Sequence, residues 1–325
     1  MQNLALRHIK RIVCEQESGS KLRSVLIVVF LCLIVIGKIG AQTTLQGEQR
    51  QDANALKFSV QSQLVEIYLT VTKGNRLVPN LKAADFRLTE DGLPVSIDRL
   101  DNRDVPLQIV LLFDTSESIR DSLKTIQDSA VAFVESLNPE DRVTLVFFNS
   151  EIRSYTQTTN DREPILREIR NARARGMTKL YDALLFGMKC LEGKVGRKAI
   201  VCFTDGQDTS GTSSRVAVLN AAARFGYPIY TIGAGAGLEL ASLKIILREF
   251  AEINSGKAFF IQNIRKLREA FLEVAAELRS AYVLNYYTRV PLDGQWHDLS
   301  ISTLDPVCSV HARKGFFAKS NTEDR

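Results

Sequence analysis

Residues 107–118 read LQIVLLFDTSES, and this stretch decides the fold. Apart from Gln108, its first seven residues are apolar, which is typical of a strand buried on both faces of a parallel sheet. Asp114, Ser116 and Ser118 follow at a spacing of two residues. Ligand sites in open α/β sheets lie beyond the carboxyl ends of the strands. The stretch therefore predicts a buried parallel strand with a polar site at its end.

The same alternation of apolar strands and amphipathic helices continues from Pro106 to about Leu278. Between Ile119 and Leu137, for example, apolar residues recur every three or four positions, which indicates a helix. We expect six strands at 107–113, 143–148, 152–156, 199–204, 229–232 and 258–261, with helices near 119–137, 163–172, 180–191, 214–225, 238–253 and 264–278. This order predicts an α/β fold with a doubly wound, mostly parallel six-stranded sheet.

Strand patterns flank this region on both sides. Residues 59–73 are rich in apolar and β-branched side chains, and a second strand at 85–89 leads into Asp91-Gly92, a strong hairpin signal, with a return strand at 95–97. After residue 280 we expect strands at 282–287, 297–302 and 309–317, for which pairing with the N-terminal strands is one open arrangement. We divide the chain into a leader 1–41, a linker 42–57, an N-terminal β module 58–104, the α/β domain 105–280 and a C-terminal β segment 281–325.

The first 41 residues have the pattern of an export signal. Scattered basic residues precede an apolar run at 25–36, which is shorter than the roughly 20 residues that span a bilayer. Ala41 suits the last position before a cleavage site. The alternative is an uncleaved membrane anchor through residues 24–37, because the basic region is long and Lys38 lies close to the cut. We expect an exported protein, either periplasmic or secreted, or anchored by this segment.

Charge and residue usage exclude several classes of function. The chain has a net charge of +5, but the leader carries six basic and two acidic residues, so the remainder is nearly neutral and has no basic stripe for a nucleic acid. Beyond the leader, Cys190, Cys202 and Cys308 form no CxxC motif, which leaves zinc and redox motifs unsupported. His297 and His311 stand near no candidate nucleophile in sequence. We therefore expect no enzymatic activity.

Three oxygen-rich loops follow predicted strands or precede a predicted helix, and their polar residues are Asp114, Ser116, Ser118, Thr178 and Asp205. Hard cations such as Mg²⁺ prefer oxygen ligands in near-octahedral geometry. Two carboxylates can retain the ion, while three neutral hydroxyls leave it with positive charge and an open position. The sequence predicts a site for Mg²⁺, or for Mn²⁺ or Ca²⁺, completed by an acidic group of a partner.

Each of these residues also has a simpler interpretation. Ser116 or Ser118 could cap the helix at Ile119, and Thr178 could cap the next helix, because Ser and Thr favour N-cap positions. Asp205 with Gly206 could form a plain turn. The glycines at 233–237 follow a strand, but their GxGxG spacing and their place at the fifth strand do not fit a dinucleotide loop.

The segment from about Leu107 to Leu278 resembles a von Willebrand factor A domain with its metal-ion-dependent adhesion site. The wider chain resembles the bacterial A-domain proteins first grouped in Acidobacteria, in which β segments like Val65–Asp101 and the stretch after Glu277 flank the A domain. The resemblance implies that Ser116 and Ser118 ligate the metal directly, Thr178 directly or nearly so, and the two aspartates directly or through water. It also implies binding of a protein or surface ligand that presents a carboxylate.

The sequence departs from the family pattern at two positions of the site. Glu117 stands where a glycine is frequent, and Met177 replaces the glycine that often precedes the threonine. Either change could narrow the site, and Glu117 could weaken its attraction for an acidic partner. Two other functions stay open: a metal-dependent switch or scaffold in an envelope complex, with movement of the helix at 238–253 or 264–278, and a metal-dependent hydrolase.

Overall fold

The computed structural model describes residues 62–102, 105–154, 158–234 and 241–320. The predicted leader 1–41, the predicted linker 42–57 and the first residues of the predicted β module lie outside these ranges. None of the helices in the described ranges has the length and apolar character needed to cross a membrane. From Ser62 onward the chain groups into one unit.

Strands and helices are labelled in chain order. The strands are β1 Leu64–Lys73, β2 Arg76–Leu77, β3 Phe86–Glu90, β4 Leu93–Pro94, β5 Arg99–Asp101, β6 Leu107–Asp114, β7 Arg142–Phe148, β8 Ile152–Ser154, β9 Arg197–Thr204, β10 Ile229–Ala234, β11 Ala258–Ile261, β12 Tyr282–Tyr287, β13 Trp296–Thr303, β14 Cys308–Ala312 and β15 Gly315–Phe317. The α-helices are α1 Leu123–Ser136, α2 Arg162–Asn171, α3 Leu180–Leu191, α4 Arg215–Phe225, α5 Ala241–Glu252 and α6 Leu267–Ser280.

The central sheet has six strands in the order β11-β10-β9-β6-β7-β8. All neighbouring pairs are parallel except β7 and β8 at the edge, which are antiparallel. Every residue of β6 and β9 is buried, and the apolar runs 109–113 and 199–203 within them fit this position in the sheet. The predicted fold class, a doubly wound and mostly parallel sheet, is confirmed.

Helices cover both faces of this sheet. Side chains of β6 alternate between the faces, so that Ile109 and Leu111 pack with α1, α2 and α6, while Val110 and Leu112 pack with α3, α4 and α5. Burying one such aliphatic side chain stabilises a protein by about 1.5–3 kcal/mol. The two cores therefore hold the strand ends, and the loops that follow them, in fixed relative positions.

The N-terminal and C-terminal β segments are built into each other. Strand β1 lies between β12 and β14, and β3 pairs with β13, in each case antiparallel. The two resulting sheets share one apolar core, which includes Ile67, Leu88, Tyr286 and Phe316. The two flanking segments thus form a single β structure, and the division of the chain into separate segments at 58–104, 105–280 and 281–325 stays a prediction.

Four predicted boundaries were wrong. The segment 309–317 is two strands instead of one, because Arg313 turns inward and donates a hydrogen bond from Nη2 to the carbonyl oxygen of Glu66 (2.7 Å). The hairpin returns at Leu93–Pro94 instead of 95–97, because Asp91 and Gly92 both adopt positive φ and close a two-residue turn. The helices predicted from 119 and 264 begin with 3₁₀ turns at Glu117–Ser122 and Ile264–Lys266.

Buried basic side chains join the β structure to the central sheet. Arg197, which is only 1% exposed, donates hydrogen bonds to the carbonyl oxygens of Val105 (2.9 Å), Leu278 (2.9 Å) and Ala281 (3.0 Å). Its neighbour Lys198 forms an ion pair with Glu66 of β1 at 3.0 Å. Arg197 at the start of β9 therefore holds together the segment before β6 and the end of α6, where the chain enters and leaves the α/β region.

A histidine and an aspartate connect the β3–β4 turn to β13. His297 Nδ1 lies 2.7 Å from the Asp91 carboxylate, which also accepts a hydrogen bond from the Asp298 backbone N–H (2.9 Å). Burial lowers the pKa of His297, but the carboxylates of Asp91 and Asp293 outweigh it and the net pKa is raised. The hydrogen bond from His297 and that from the Asp298 backbone lower the pKa of Asp91. The pair is therefore favoured in its charged form.

We expect His297→Gln to remove part of the pH dependence of stability. A histidine with a raised folded pKa stabilises the protein fully below its unfolded pKa, about 6.5, and this contribution is lost as the pH rises through the folded pKa. The free energy of unfolding in urea should fall for the wild type between about pH 6 and about pH 9, and fall less for the variant. The matched control is His311→Gln. An undiminished fall in His297→Gln would contradict this role.

Candidate metal site

The predicted site residues lie at one edge of the central sheet. Asp114 is the last residue of β6, and Asp205 directly follows β9, its neighbour in the sheet. From β6 the chain continues to β7 on one side, whereas from β9 it continues to β10 on the other. Ligands of doubly wound sheets bind at such a point, where the strand order reverses.

Hydroxyls and carboxylates of the first and third loops are in direct contact. Ser118 Oγ donates a hydrogen bond to Asp205 Oδ1 (2.6 Å), and Ser116 Oγ lies 3.0 Å from Ser118 Oγ. Asp114 Oδ1 accepts a hydrogen bond from the Ser116 backbone N–H (2.8 Å). The structure thus brings together four of the five predicted residues, which are up to 91 positions apart in the sequence.

Thr178 reaches the same cluster from the loop before α3. A Cβ atom placed on Gly206 would lie 3.4 Å from Thr178 Oγ1 and 3.8 Å from Ser118 Oγ, so both hydroxyls border this glycine. Thr178 is buried, and its backbone N–H donates to Thr209 Oγ1 (2.9 Å). All five predicted residues therefore meet at the sheet edge. We name them the hydroxyl–carboxylate cluster: Asp114, Ser116, Ser118, Thr178 and Asp205.

Helix capping does not account for these hydroxyls. Ser116 occupies the N-cap position of the 3₁₀ turn, yet its side chain makes no capping hydrogen bond. The N-cap position of α3 is Lys179 instead of Thr178. The first turn of α3 is held by Asp208, whose Oδ2 accepts from the Tyr181 backbone N–H (2.8 Å). The hydroxyls of Ser116 and Ser118 instead contact each other, and that of Ser118 donates to Asp205.

Burial dominates the electrostatics of the two aspartates. Asp114 is fully buried, and this burial raises its pKa to about 7, against hydrogen bonds from Thr204 and Ser116 that lower it and with the charge of Asp205 adding to the rise. Burial also raises the pKa of Asp205, although the hydrogen bond from Ser118 opposes it. Without a cation, ionising both carboxylates is therefore unfavourable.

The donor set fits a hard divalent cation. Neither aspartate forms an ion pair with a lysine, arginine or histidine within the described residues. The described residues also hold no group of three or more His, Cys, Asp and Glu side chains arranged for a metal, and hydroxyl oxygens would have to supply most of the ligands of a cation at this edge. Oxygen ligands with two carboxylates match Mg²⁺, Mn²⁺ or Ca²⁺ and not the Cys and His ligands of structural zinc.

The two departures from the family pattern both point their side chains to solvent. Glu117 is exposed and pairs with Arg120 at 2.5 Å, which offsets its charge. Met177 is 53% exposed. The glycine before it is required, because Gly176 has φ +75° and a Cβ atom there would lie 2.7 Å from Ser150 Oγ. Neither substitution fills the space among the five side chains.

Three polar residues outside the predicted five support the cluster. Thr204 Oγ1 donates to Asp114 Oδ2 (2.6 Å), and Thr209 and Asp208 hold Thr178 and the start of α3. Thr204 stands directly before Asp205 at the end of a strand, and this was the only signal available for it. The contacts of Thr209 and Asp208 depend on how their loop folds back onto α3, which no spacing indicates.

We expect Asp114→Asn to stabilise the metal-free protein. Asparagine can accept from the Ser116 N–H and donate to Thr204 without a buried charge. A carboxyl whose folded pKa is raised destabilises the fold as the pH rises through that pKa, so the gain should be absent near pH 4 and reach roughly 2 kcal/mol or more near pH 8. Urea unfolding in chelator at both pH values measures it. A loss of stability near pH 8 would show that the Asp114 hydrogen bonds outweigh the cost of burial.

Comparison with known proteins gives the family. The model of the von Willebrand factor type A domain matches residues 108–273, about half of the chain. A search of the curated proteins found no match. Several solved structures have a similar fold at low sequence identity, and three of them are described next.

The PilB minor pilin from Streptococcus sanguinis is 14% identical with a TM-score of 0.46, over 54% of this chain and 62% of that chain, so the match spans less than two thirds of the pilin. The von Willebrand factor type A protein from Catenulispora acidiphila is 13% identical with a TM-score of 0.48, over 83% and 77%. Proximal thread matrix protein 1 from the mussel byssus, with a zinc-occupied MIDAS motif, is 18% identical with a TM-score of 0.49, over 59% and 50%. Because these scores are low, the assignment rests on the family model: the chain belongs to the von Willebrand factor type A domain family.

Proposed function

We propose that this chain is an exported binding protein that uses one divalent cation to hold an acidic group of a partner macromolecule. The observation that carries the proposal is the meeting of three loops in the hydroxyl–carboxylate cluster, where Ser118 Oγ lies 2.6 Å from Asp205 Oδ1 and 3.0 Å from Ser116 Oγ. No basic side chain of the described residues neutralises the two aspartates. A bound cation would supply the missing positive charge.

Each residue of the cluster has a separate part in this proposal. Asp114 and Asp205 would supply the negative charge that retains the ion, and Thr204 holds the Asp114 carboxylate in place. Ser116, Ser118 and Thr178 would offer neutral oxygens, which add no negative charge to that of the two carboxylates and leave room for a further anion to complete the ligands of the ion. The cation, when bound, acts as a Lewis acid for a carboxylate oxygen.

The cluster is open to a partner at Ser118. This residue is exposed, whereas the other four members, Asp114, Ser116, Thr178 and Asp205, are buried. Met177 beside it is also exposed and offers an apolar contact of the kind that is enriched in interfaces. We infer that Mg²⁺ is the cation, with Mn²⁺ or Ca²⁺ as substitutes, and that the partner is a protein or surface ligand presenting a carboxylate.

Export of the protein is part of the same proposal. It rests on the basic leader and the apolar run at 25–36, which precede the described residues. Binding instead of catalysis is proposed because His297 and His311, the histidines beyond the leader, are engaged elsewhere. His297 contacts Asp91, and His311 Nε2 lies 3.1 Å from the carbonyl oxygen of Gly256.

The proposal predicts that partner capture needs both the cation and free carboxyl groups. The full chain is immobilised and exposed to envelope and surface proteins of the source cells, with Mg²⁺ or with chelator. A second aliquot of the same extract has its carboxyl groups converted to amides with a carbodiimide and a neutral amine. We expect specific proteins to be retained only with Mg²⁺ and only from the untreated extract, because the partner would bind the cation through a carboxylate.

Two single-hydroxyl variants make the matched control. Thr178→Ala removes a hydroxyl from the cluster and should abolish retention, whereas Ser300→Ala removes an exposed hydroxyl from β13 and should retain the same proteins as the wild type. Retention that persists in chelator, or that survives conversion of the carboxyls, would refute the proposed function.

A further inference from the structure

A cleft opens beside the hydroxyl–carboxylate cluster and is lined by side chains that the cluster does not use. Its volume is about 230 Å³, and Thr115, the residue between Asp114 and Ser116, forms part of its wall. Asn149 lines it too and donates a hydrogen bond to Thr115 Oγ1 (3.1 Å). The cleft therefore begins one residue away from the proposed metal ligands.

The charged residues of this cleft leave a surplus of positive charge. Arg153, Arg173 and Arg175 line it together with Glu151 and Glu168. Arg153 forms an ion pair with Glu151. The side chains of Arg173 and Arg175 are exposed and form no ion pair or hydrogen bond within the described residues. Two guanidinium groups are thus available to an incoming anion, against one unpaired carboxylate.

The loop that carries these two arginines is held in place by its backbone. The Arg175 N–H donates to the carbonyl oxygen of Thr115 (2.8 Å), and the Glu117 N–H donates to that of Gly176 (2.9 Å). The Met177 N–H donates to Ser150 Oγ (2.8 Å). A preformed loop reduces the ordering cost of binding, so the guanidinium groups are presented to a ligand at low entropic cost.

The size and chemistry of the cleft identify what it accommodates. Sites for drug-sized ligands enclose roughly 300–1,000 Å³, so this smaller cleft suits a single side chain of a partner. A guanidinium group binds a carboxylate through two parallel hydrogen bonds. The carboxylate of Glu168 and the amide of Asn149 could form hydrogen bonds with the amide groups of a peptide. A densely charged polyanion would be repelled by Glu168, and the neutral Asn149 would not offset its charge.

We propose that this cleft binds a second acidic side chain of the same partner, so that the ligand is a peptide segment with two nearby carboxylates. One carboxylate is held at the metal, and the other is held by Arg173 and Arg175. This inference rests on the function proposed above and specifies its partner class. Alternate residues of an extended peptide lie on one side at about 3.3 Å rise per residue, so the two acids stand a few positions apart.

The test measures binding of labelled synthetic peptides to the full chain by fluorescence anisotropy, with Mg²⁺ or with chelator. One peptide carries a single Asp in a Gly-Ser background, and the others carry a second Asp one to four positions away. We expect at least one two-acid peptide to bind roughly tenfold more tightly than the one-acid peptide in Mg²⁺, the factor of one good charged contact.

Two charge-matched double variants separate the cleft from a general effect of net charge. Arg173→Gln with Arg175→Gln should bind both kinds of peptide with the affinity that the wild type has for the one-acid peptide. Arg76→Gln with Arg87→Gln changes two exposed arginines of β2 and β3, and should keep the wild-type preference.

Each other outcome overturns the inference in a distinguishable way. Equal Mg²⁺-dependent binding of one-acid and two-acid peptides would overturn it and leave the proposed function intact. A preference that survives in the Arg173 and Arg175 variant, or is lost in both double variants, would also overturn it. If no peptide binds in a Mg²⁺-dependent way, the proposed function fails and the inference fails with it.

Discussion

The buried carboxylate of Asp114 is the constraint on which the rest of the site depends. It lies at the end of β6, next to β9, where the order of the strands reverses, and its oxygens are engaged by Thr204 and by the Ser116 backbone. Because helices cover both faces of the parallel sheet, this carboxylate is fully buried and has no contact with solvent. Its raised pKa, about 7, expresses the unfavourable energy of that burial. A cation among the neighbouring oxygens would remove this conflict, so the geometry that disfavours the ionised carboxylate without a cation would favour cation binding.

The surrounding architecture explains how the strand ends keep their positions. Arg197 and Lys198 begin β9, and their bonds to Val105, Leu278 and Glu66 tie the far end of the central sheet to the flanking β structure. The hydroxyl–carboxylate cluster lies at the opposite end of the same strands. Buried charged groups of this kind must be paired, and removing one partner is strongly destabilising. The flanking segments are therefore part of the fold that carries the site.

Sequence patterns were sufficient to predict the central sheet and the position of the five cluster residues at its edge, whereas their role as metal ligands stays a prediction. They were insufficient for contacts between residues that are far apart in the sequence. Apolar runs such as 107–113 are stable as strands buried on both faces of a parallel sheet, so the six strands and their order in the chain could be predicted. The break at Arg313 could not, because it depends on a hydrogen bond to Glu66, 247 positions away. The hydrogen bonds of Thr204 to Asp114 and of Asp208 to the start of α3 also join residues far apart in the sequence and could not be predicted from spacing. The arginine cleft likewise arises where the 173–177 loop meets Thr115, which no local pattern indicates.

Isothermal titration calorimetry of Mg²⁺ and Mn²⁺ into the full chain tests the central claim, that the hydroxyl–carboxylate cluster binds one divalent cation. A double variant, Asp114→Ala with Ser116→Ala, provides the comparison, and circular dichroism verifies that it is folded. The account predicts saturable binding at a single site in the wild type and its loss in the folded variant. Absence of binding in the wild type, or equal binding in both proteins, would contradict it.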